Sequence, residues 1–362
     1  MKNRIFKIAI LGFIVSLQSL LFQNCSKVQV ADIASIAPAV EADRSPASVE
    51  TALAAKKYLT RTGTLDSAKT KVDLLLIIDN SGSMKEDSLA LAGKLSEFFV
   101  YLSNSNIDWQ MCLTTTNLSS EGMSYAWKDG LNGIVLNNST QNIQTVVTNS
   151  VDYLYTTAPT SGDERGVAQA YKHRFNSANK SCYRDGASFS SIVISDEDER
   201  SAGEIDYSKM IPLPTRINKL SGPIEEIDRP EFYISEFKKY SPNTNIQAHS
   251  IVVPSKDEAC FMAQDKFAGA SFGTFYEKLS ALTSGTITSI CETNYSTNLK
   301  TISSSILDLS QKIQLECIPT EAPEVKIDPM DSSVTYNLTG NLISLNYPSD
   351  KSYKVFVSYT CD

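Results

Sequence analysis

The chain has 362 residues, 42% of them hydrophobic, and a formal net charge of −8. That length supports a sizeable core with room for a smaller second unit. The acidic balance argues against binding nucleic acid or anionic lipid by general electrostatics.

The N-terminus reads as a secretion signal. Lys2, Arg4 and Lys7 form its positive region, and Ile8 to Phe22 form an apolar core too short for a comfortable membrane span. Cleavage after residue 24 removes those three positive charges and no acid, so the formal charge falls from −8 to −11. Residues 25–70 are rich in Ala, Ser and charge, with Pro38 and Pro46, and read as a tether. Asp43 to Lys57 is expected to be partly helical within it.

Val72 to Ile78 is an apolar run of strand length with almost no polar alternation. Such a run fits a strand buried on both faces of a parallel sheet. It ends in Asp79, with Ser81 and Ser83 following at alternate positions. Ligands of open α/β sheets bind just past the carboxyl ends of strands. Three hard oxygen donors with one charge there suit Mg²⁺, which keeps waters and accepts a ligand from a partner.

Further elements alternate along the chain. Helical spacing covers Ser88 to Asn104, a strand follows at Ile107 to Thr116, and a short strand at Gly133 to Leu136. Glu164 to Ala178 reads as a helix carrying His173. Ser190 to Ser195 is a second apolar strand ending in acid, at Asp196 to Glu199. An insertion at about 200–244 includes the Pro-rich stretch Met210 to Pro230 and a helix at Glu231 to Tyr240, whose aromatic face reads as core. A strand with His249 (Asn245 to Val253), a helix (Phe272 to Leu282), a last strand (Gly285 to Ile290) and a closing helix (Asn298 to Leu315) complete the domain. The alternation predicts a doubly wound, mostly parallel sheet with helices on both faces, spanning residues 71–316. In residues 317–362, Ser333 to Leu338, Leu342 to Asn346 and Tyr353 to Thr360 read as antiparallel strands. So small a segment needs a disulfide, or docking on the larger domain.

The string Asp79-Asn80-Ser81-Gly82-Ser83-Met84 after an apolar strand resembles the metal-ion-dependent adhesion site of von Willebrand factor type A domains. The resemblance implies that fold and a bound Mg²⁺, or another divalent ion such as Ca²⁺ or Mn²⁺. Asp196 matches the family's third metal loop. Ser161, five residues before Gly166, stands where the family usually has a Thr ligand. Asp163, Glu164 and Glu197 are further candidates at the metal. Asp163 and Glu164 also fit favourable charge in a helix's first turn, and Asp198 and Glu199 fit an ordinary solvated acidic loop. The site residues implied are thus Asp79, Ser81, Ser83, Ser161 and Asp196, with a vacant position for a carboxylate from a protein partner.

Cys25, directly after the hydrophobic core, resembles the lipid-attachment site of bacterial lipoproteins. Ser26 resembles the sorting pattern for the outer membrane, which implies a lipid-anchored envelope protein. Assigning Cys25 to lipid leaves six of the seven cysteines, enough for three disulfides in an oxidising compartment. Sequence alone allows about fifteen pairings of six. The family resemblance implies Cys260–Cys291, a pair flanking a helix in bacterial relatives. Cys317–Cys361 would then close the C-terminal segment, leaving Cys112 with Cys182. No C-x-x-C spacing points to zinc or redox chemistry.

The function implied is recognition, not turnover. A rival is a scaffold subunit of an envelope complex, with the metal ordering its loops. A hydrolase is the weakest reading: the chain has only His173 and His249, no G-x-S-x-G elbow and no P-loop.

Overall fold

The computed structural model describes residues 57–65, 70–105, 107–128, 133–202, 205–206, 211–212, 223–265, 270–292, 294–347 and 351–361. All lie in one compact unit, Ala54–Asp362. The signal segment, Cys25 and most of the Pro-rich stretch of the insertion fall outside the described residues. Among those described, no helix is long and apolar enough to cross a membrane.

The chain enters as strand β1 (Lys57–Leu65), then β2 (Thr70–Ile78), helix α1 (Lys85–Asn104), β3 (Ile107–Thr115), β4 (Leu136–Asn137), α2 (Ile143–Thr156) and α3 (Gly166–Phe175). It continues with β5 (Ser188–Ile194), β6 (Ile205–Asp206), β7 (Ile211–Pro212), α4 (Pro230–Tyr240), β8 (Ile246–Val252), α5 (Glu258–Gln264), α6 (Thr274–Leu282), β9 (Ile287–Ser289) and α7 (Tyr295–Ser310). A last group comprises β10 (Lys312–Gln314), β11 (Glu324–Asp328), β12 (Thr335–Thr339), β13 (Leu342–Asn346) and β14 (Tyr353–Cys361).

The main sheet has six strands in the order β4-β3-β2-β5-β8-β9. Every neighbour pair is parallel except β3 with the edge strand β4. The chain winds outward to β4 on one side, returns, and winds outward to β9 on the other. The direction of winding reverses between β2 and β5, which creates a crevice at their carboxyl ends.

The unbroken apolar run of β2 follows from burial on both faces. Leu74, Leu76 and Ile78 join one core with α1, α2, α5 and α7, including Leu91, Leu95, Phe98, Val147, Phe261 and Ile302. Leu75 and Ile77 point the other way, to Val167, Tyr233, Phe237, Phe275 and Tyr276 on α3, α4 and α6. Each fully buried side chain of this size contributes about 1.5–3 kcal/mol. Polar residues on this strand would therefore cost stability on either face. The aromatic face of α4 is largely core as expected, with Tyr233 and Phe237 buried, but Tyr240 is exposed.

Two corrections concern the C-terminal unit. Residues 57–65, expected within the tether, form β1, paired antiparallel with β14 along the whole strand from Lys57↔Cys361 to Leu65↔Tyr353. The closing helix stops at Ser310, and Ile313 sits instead on β10, paired with Ile343. Both changes supply what a lone 46-residue segment lacks. Sheets β1-β14-β11 and β10-β13-β12 share one core of Ile313, Leu315, Ile343, Tyr353, Val355, Val357 and Tyr359. Helices α2 and α5 were not assigned from the sequence.

The described residues contain the disulfides Cys112–Cys182, Cys260–Cys291 and Cys317–Cys361, the same three pairs set out above. The first ties β3 to the segment before β5, the second ties α5 to the end of β9, and the third holds the end of β14 to the chain leaving β10.

Removal of residues 1–65 should strip β14 of its edge partner and destabilise the C-terminal unit by about 2 kcal/mol or more. Hydrogen exchange at the amides of Tyr353–Cys361 should then accelerate strongly. Unchanged protection there would show that β1 contributes no structure.

Candidate metal centre

The site forms where β2 and β5 end side by side. Ile78 pairs with Ile194, and the Asp79 amide donates to the Ile194 carbonyl at 2.9 Å. Asp79 and Asp196 consequently leave neighbouring strands at the same edge, both with no solvent exposure.

Asp79 is held from two sides. Its Oδ1 accepts from the Ser81 amide at 2.8 Å, and its Oδ2 accepts from the Ser195 hydroxyl at 2.6 Å. The Ser81 and Ser83 hydroxyls lie 3.0 Å apart. Asn80 donates to the Leu154 and Pro159 carbonyls at 3.1 and 3.0 Å, and Asn117 donates to Pro159 at 2.9 Å. The Tyr155 hydroxyl bridges the Asp79 carbonyl and the Ser88 hydroxyl. These bonds tie the loop after α2 against the loop after β2.

Asp196 contrasts with Asp79. Neither of its buried carboxylate oxygens has a hydrogen-bond partner of ordinary geometry. Burial, then the charges of Asp79 and Glu197, push its pKa well above the carboxylate range, and the nearby Ser83 hydroxyl offsets this only in part. Burial likewise raises Asp79, against the hydrogen bonds from Ser195 and Ser81. An ionised, unpartnered buried carboxylate costs several kcal/mol. A divalent cation is the counter-charge that such an oxygen set suits.

Glu164 is buried, and Thr116 donates to its Oε2 at 3.0 Å, while its Oε1 has no partner. Burial raises its pKa, and the charges of Asp79, Glu197 and Asp196 raise it further. Glu164 is therefore coupled electrostatically to Asp79 and Asp196, and Glu197 to Asp196. Among the described residues no three His, Cys, Asp or Glu side chains form a ready-made ligand cluster. The donor set fits a cation nevertheless: two buried carboxylates beside two adjacent hydroxyls. Asp79, Ser81, Ser83 and Asp196 would hold the ion, which would supply a Lewis-acidic point for a partner's carboxylate.

Ser161 and Asp163 are placed differently from the four. The Ser161 hydroxyl accepts from the Asp163 amide at 2.9 Å, so it shapes its own loop. Asp163 forms an ion pair with Arg200 at 3.0 Å. Arg200 also reaches Glu225, which pairs with Arg165, whose guanidinium grips Asp228.

Asp198 and Glu199 do not form a solvated loop. Both are fully buried and hold helix N-termini. Asp198 accepts from the Phe275 amide at 2.9 Å and the Thr274 hydroxyl at 2.6 Å at the start of α6. Glu199 accepts from the Val167 and Ala168 amides at 2.8 and 3.0 Å at the start of α3. Orphan amides and the helix dipole reward a carboxylate there, while burial pushes the Asp198 pKa up to about 7. The roles of Ser195, Asn80, Thr116 and Tyr155 were missed in the sequence. Only Ser195 carried a signal, as the residue between an apolar strand and an acid.

The two histidines are both fully buried. His173 Nε2 lies 2.6 Å from the Ser124 hydroxyl, and Nδ1 lies 2.5 Å from the Tyr183 hydroxyl. A hydroxyl–imidazole contact can serve a nucleophile, but here the third member is a phenol whose own pKa burial raises. Burial also holds the His173 imidazole down to about 3, which disfavours the imidazolium that general-base catalysis needs. His249 accepts the Thr286 amide at 3.0 Å and is likewise held down to about 3 by burial.

No protein-family model matches this chain, and neither does any curated protein sequence. Among solved structures it is similar to the pilus adhesin SpaC of Lactobacillus rhamnosus GG, at 11% identity and a TM-score of 0.36, over 83% of this chain and 40% of that one. It is also similar to a von Willebrand factor type A structure from Catenulispora acidiphila, at 12% identity and a TM-score of 0.38, over 85% of this chain and 66% of that one. The manganese-loaded TRAP protein of Plasmodium vivax matches at 14% identity and a TM-score of 0.29, over 62% of this chain and 76% of that one. The chain thus spans less than half of the pilus adhesin's length. Likeness this loose carries no argument; the fold class rests on the strand order and winding described above.

Replacement of Asp196 by Asn should stabilise the metal-free protein. The folded pKa of Asp196 lies above its unfolded value, so its contribution is fully present below about pH 4 and is lost as pH rises. The neutral isostere escapes that loss. In chelator, Asp196→Asn should gain on the order of 2 kcal/mol at pH 8, and the gain should shrink toward pH 4. Denaturant unfolding at the two pH values measures it; a variant less stable than wild type at pH 8 would contradict an uncompensated carboxylate.

Proposed function

We propose that this chain is a von Willebrand factor type A protein of the bacterial envelope that recognises a protein partner through a divalent cation. The observation that carries this reading is the buried Asp196 carboxylate with both oxygens unpartnered, at the same sheet edge as Asp79. The Ser81 and Ser83 hydroxyls 3.0 Å apart supply neutral donors beside it. Hydroxyl ligands leave the ion electrophilic, so it attracts a carboxylate offered from outside. Mg²⁺ and Mn²⁺ suit the set better than Ca²⁺, which favours more oxygen ligands at longer distances. Ser161 completes the shell, directly or through water, in this reading.

The partner presents an Asp or Glu side chain at a surface that fits the rim. Gly82, Thr160 and Gly162 are exposed around the site and leave an approach to the ion. The three disulfides support an oxidising compartment, where the secretion signal would deliver the chain. Lipid on Cys25 anchors it to the outer membrane, and the residues that follow hold the domain away from the surface. No step of turnover is assigned: the site binds and orients.

Crosslinking capture from envelope extracts tests the reading. Tagged full-length protein should retain a specific partner in Mg²⁺ and lose it in chelator. Asp79→Ala should lose the partner in both, since one carboxylate ligand at the ion is gone. Capture that survives Asp79→Ala, or is indifferent to chelator, would refute cation-bridged recognition.

A further inference from the structure

The opposite end of the main sheet carries a second feature. A cavity of about 460 Å³ opens where the C-terminal β unit meets the amino ends of the parallel strands. Thr70 begins β2 and Ser188 begins β5, and both line it. The nine residues of β2 therefore separate it from the metal centre, roughly 25–30 Å of strand. Among the described residues, its charged lining is Arg61, Lys312 and Lys354, and none of the described lining residues is acidic. That is unusual for a chain with 41 acids and 33 basic residues.

Arg61 is the informative member. Its side chain belongs to β1 and is only 6% exposed. Nη2 donates to the Asn245 side-chain oxygen at 3.0 Å, while the buried Nε has no partner. Asn245 is itself fixed, since its amide group donates to the Leu309 carbonyl at 3.1 Å and its oxygen also accepts from the Gln314 amide at 3.0 Å. The guanidinium is thus tied to Asn245 by one hydrogen bond, and its buried Nε–H is unspent. Among the described residues no carboxylate lies in an ion pair with it. Burial lowers its pKa to about 10, and Tyr359 and Glu316 act on it only through space. Lys312 shares its charge with Asp308, and Asp328 stands across the strand pair from Lys354. Gly63 lets β1 close on β10, because a Cβ there would stand 2.7 Å from the Ile313 Cδ1.

A buried guanidinium is costly without an anion. Its Nε is one arm of the fork that grips planar or tetrahedral oxyanions. The cavity's size falls in the range of small-molecule sites. Thr62, Ser188, Asn243 and Ser310 add neutral polar groups to the walls. We propose that this cavity binds a small soluble oxyanion, of the phosphate or carboxylate class, with the Arg61 guanidinium as its central donor and Lys354 and Lys312 as supporting charge. Bound there, the anion joins β1 and β14 to the end of α7 and the start of β8. The ligand would stabilise the docking of the C-terminal unit on the main domain. This assignment is independent of the cation at the other end.

Calorimetric titration of the full-length protein tests it, with inorganic phosphate, sulfate and citrate in separate arms at constant ionic strength and chloride as reference. Saturable binding of at least one oxyanion is expected, and the arm that binds best distinguishes tetrahedral from carboxylate chemistry. Arg61→Gln should weaken it at least about ten-fold, the loss of one charge-assisted hydrogen bond. Lys354→Gln, at an exposed position, should weaken it several-fold, and decides the matter alone where the Arg61 variant does not fold. Both variants should keep the wild-type response to Mg²⁺. Absence of saturable binding in all three arms, or wild-type affinity in Lys354→Gln and in a folded Arg61→Gln, would overturn the proposal. Phosphate-competed binding to phosphatidylglycerol vesicles would also overturn it, since the cavity would then serve a lipid headgroup.

Discussion

The parallel pairing of β2 with β5 is the constraint on which everything else depends. Its register sets Ile78 against Ile194, so both strands end at one level. Whatever residues follow must share the crevice where the winding reverses. Here they are Asp79 and Asp196, both buried, and their charges oppose each other. A fold stabilised chiefly by apolar burial on both faces of β2 can carry that local cost. The cost is not spread evenly. Asp79 accepts from Ser81 and Ser195, whereas Asp196 lacks such donors. The asymmetry leaves one carboxylate anchored and the other short of a positive partner.

The segment Ser195 to Arg200 organises the surroundings of that crevice. Ser195 braces Asp79, Asp198 holds the start of α6, and Glu199 holds the start of α3. Arg200 closes onto Asp163, and its amide donates to the Glu164 carbonyl, which fixes the loop leading into α3. Four residues of this six-residue segment thus position two helices and two loops around one point. In the proposed reading, that bracing means a partner would spend little binding energy on ordering the loops. The same loops leave Gly82, Thr160 and Gly162 exposed.

Much of this was legible in the sequence where one physical rule dominated. Double-sided burial made β2 and β5 readable, and the oxygen-rich stop after β2 pointed to its own location. The sequence was misleading where charge meets burial. Asp198 and Glu199 look like solvated acid, yet amides at helix starts are donors that periodicity does not reveal. The strand at Lys57–Leu65 was hidden because its partner, β14, lies almost three hundred residues away along the chain. The end of α7 was misread because Ile313 fits helical spacing equally well; pairing with Ile343 decided it. Ser161 illustrates the remaining gap: a hydroxyl at the family's ligand spacing also caps its own turn, and spacing does not separate the two roles.

The central claim is that one divalent ion sits between the ends of β2 and β5. Anomalous diffraction from crystals grown in Mn²⁺ tests it most directly. The account predicts a strong peak within about 2.3 Å of the Ser81 and Ser83 hydroxyl oxygens, a distance usual for hard cations, with Asp79 and Asp196 turned toward it. A crystal showing no peak there, or manganese bound only elsewhere on the surface, would contradict it.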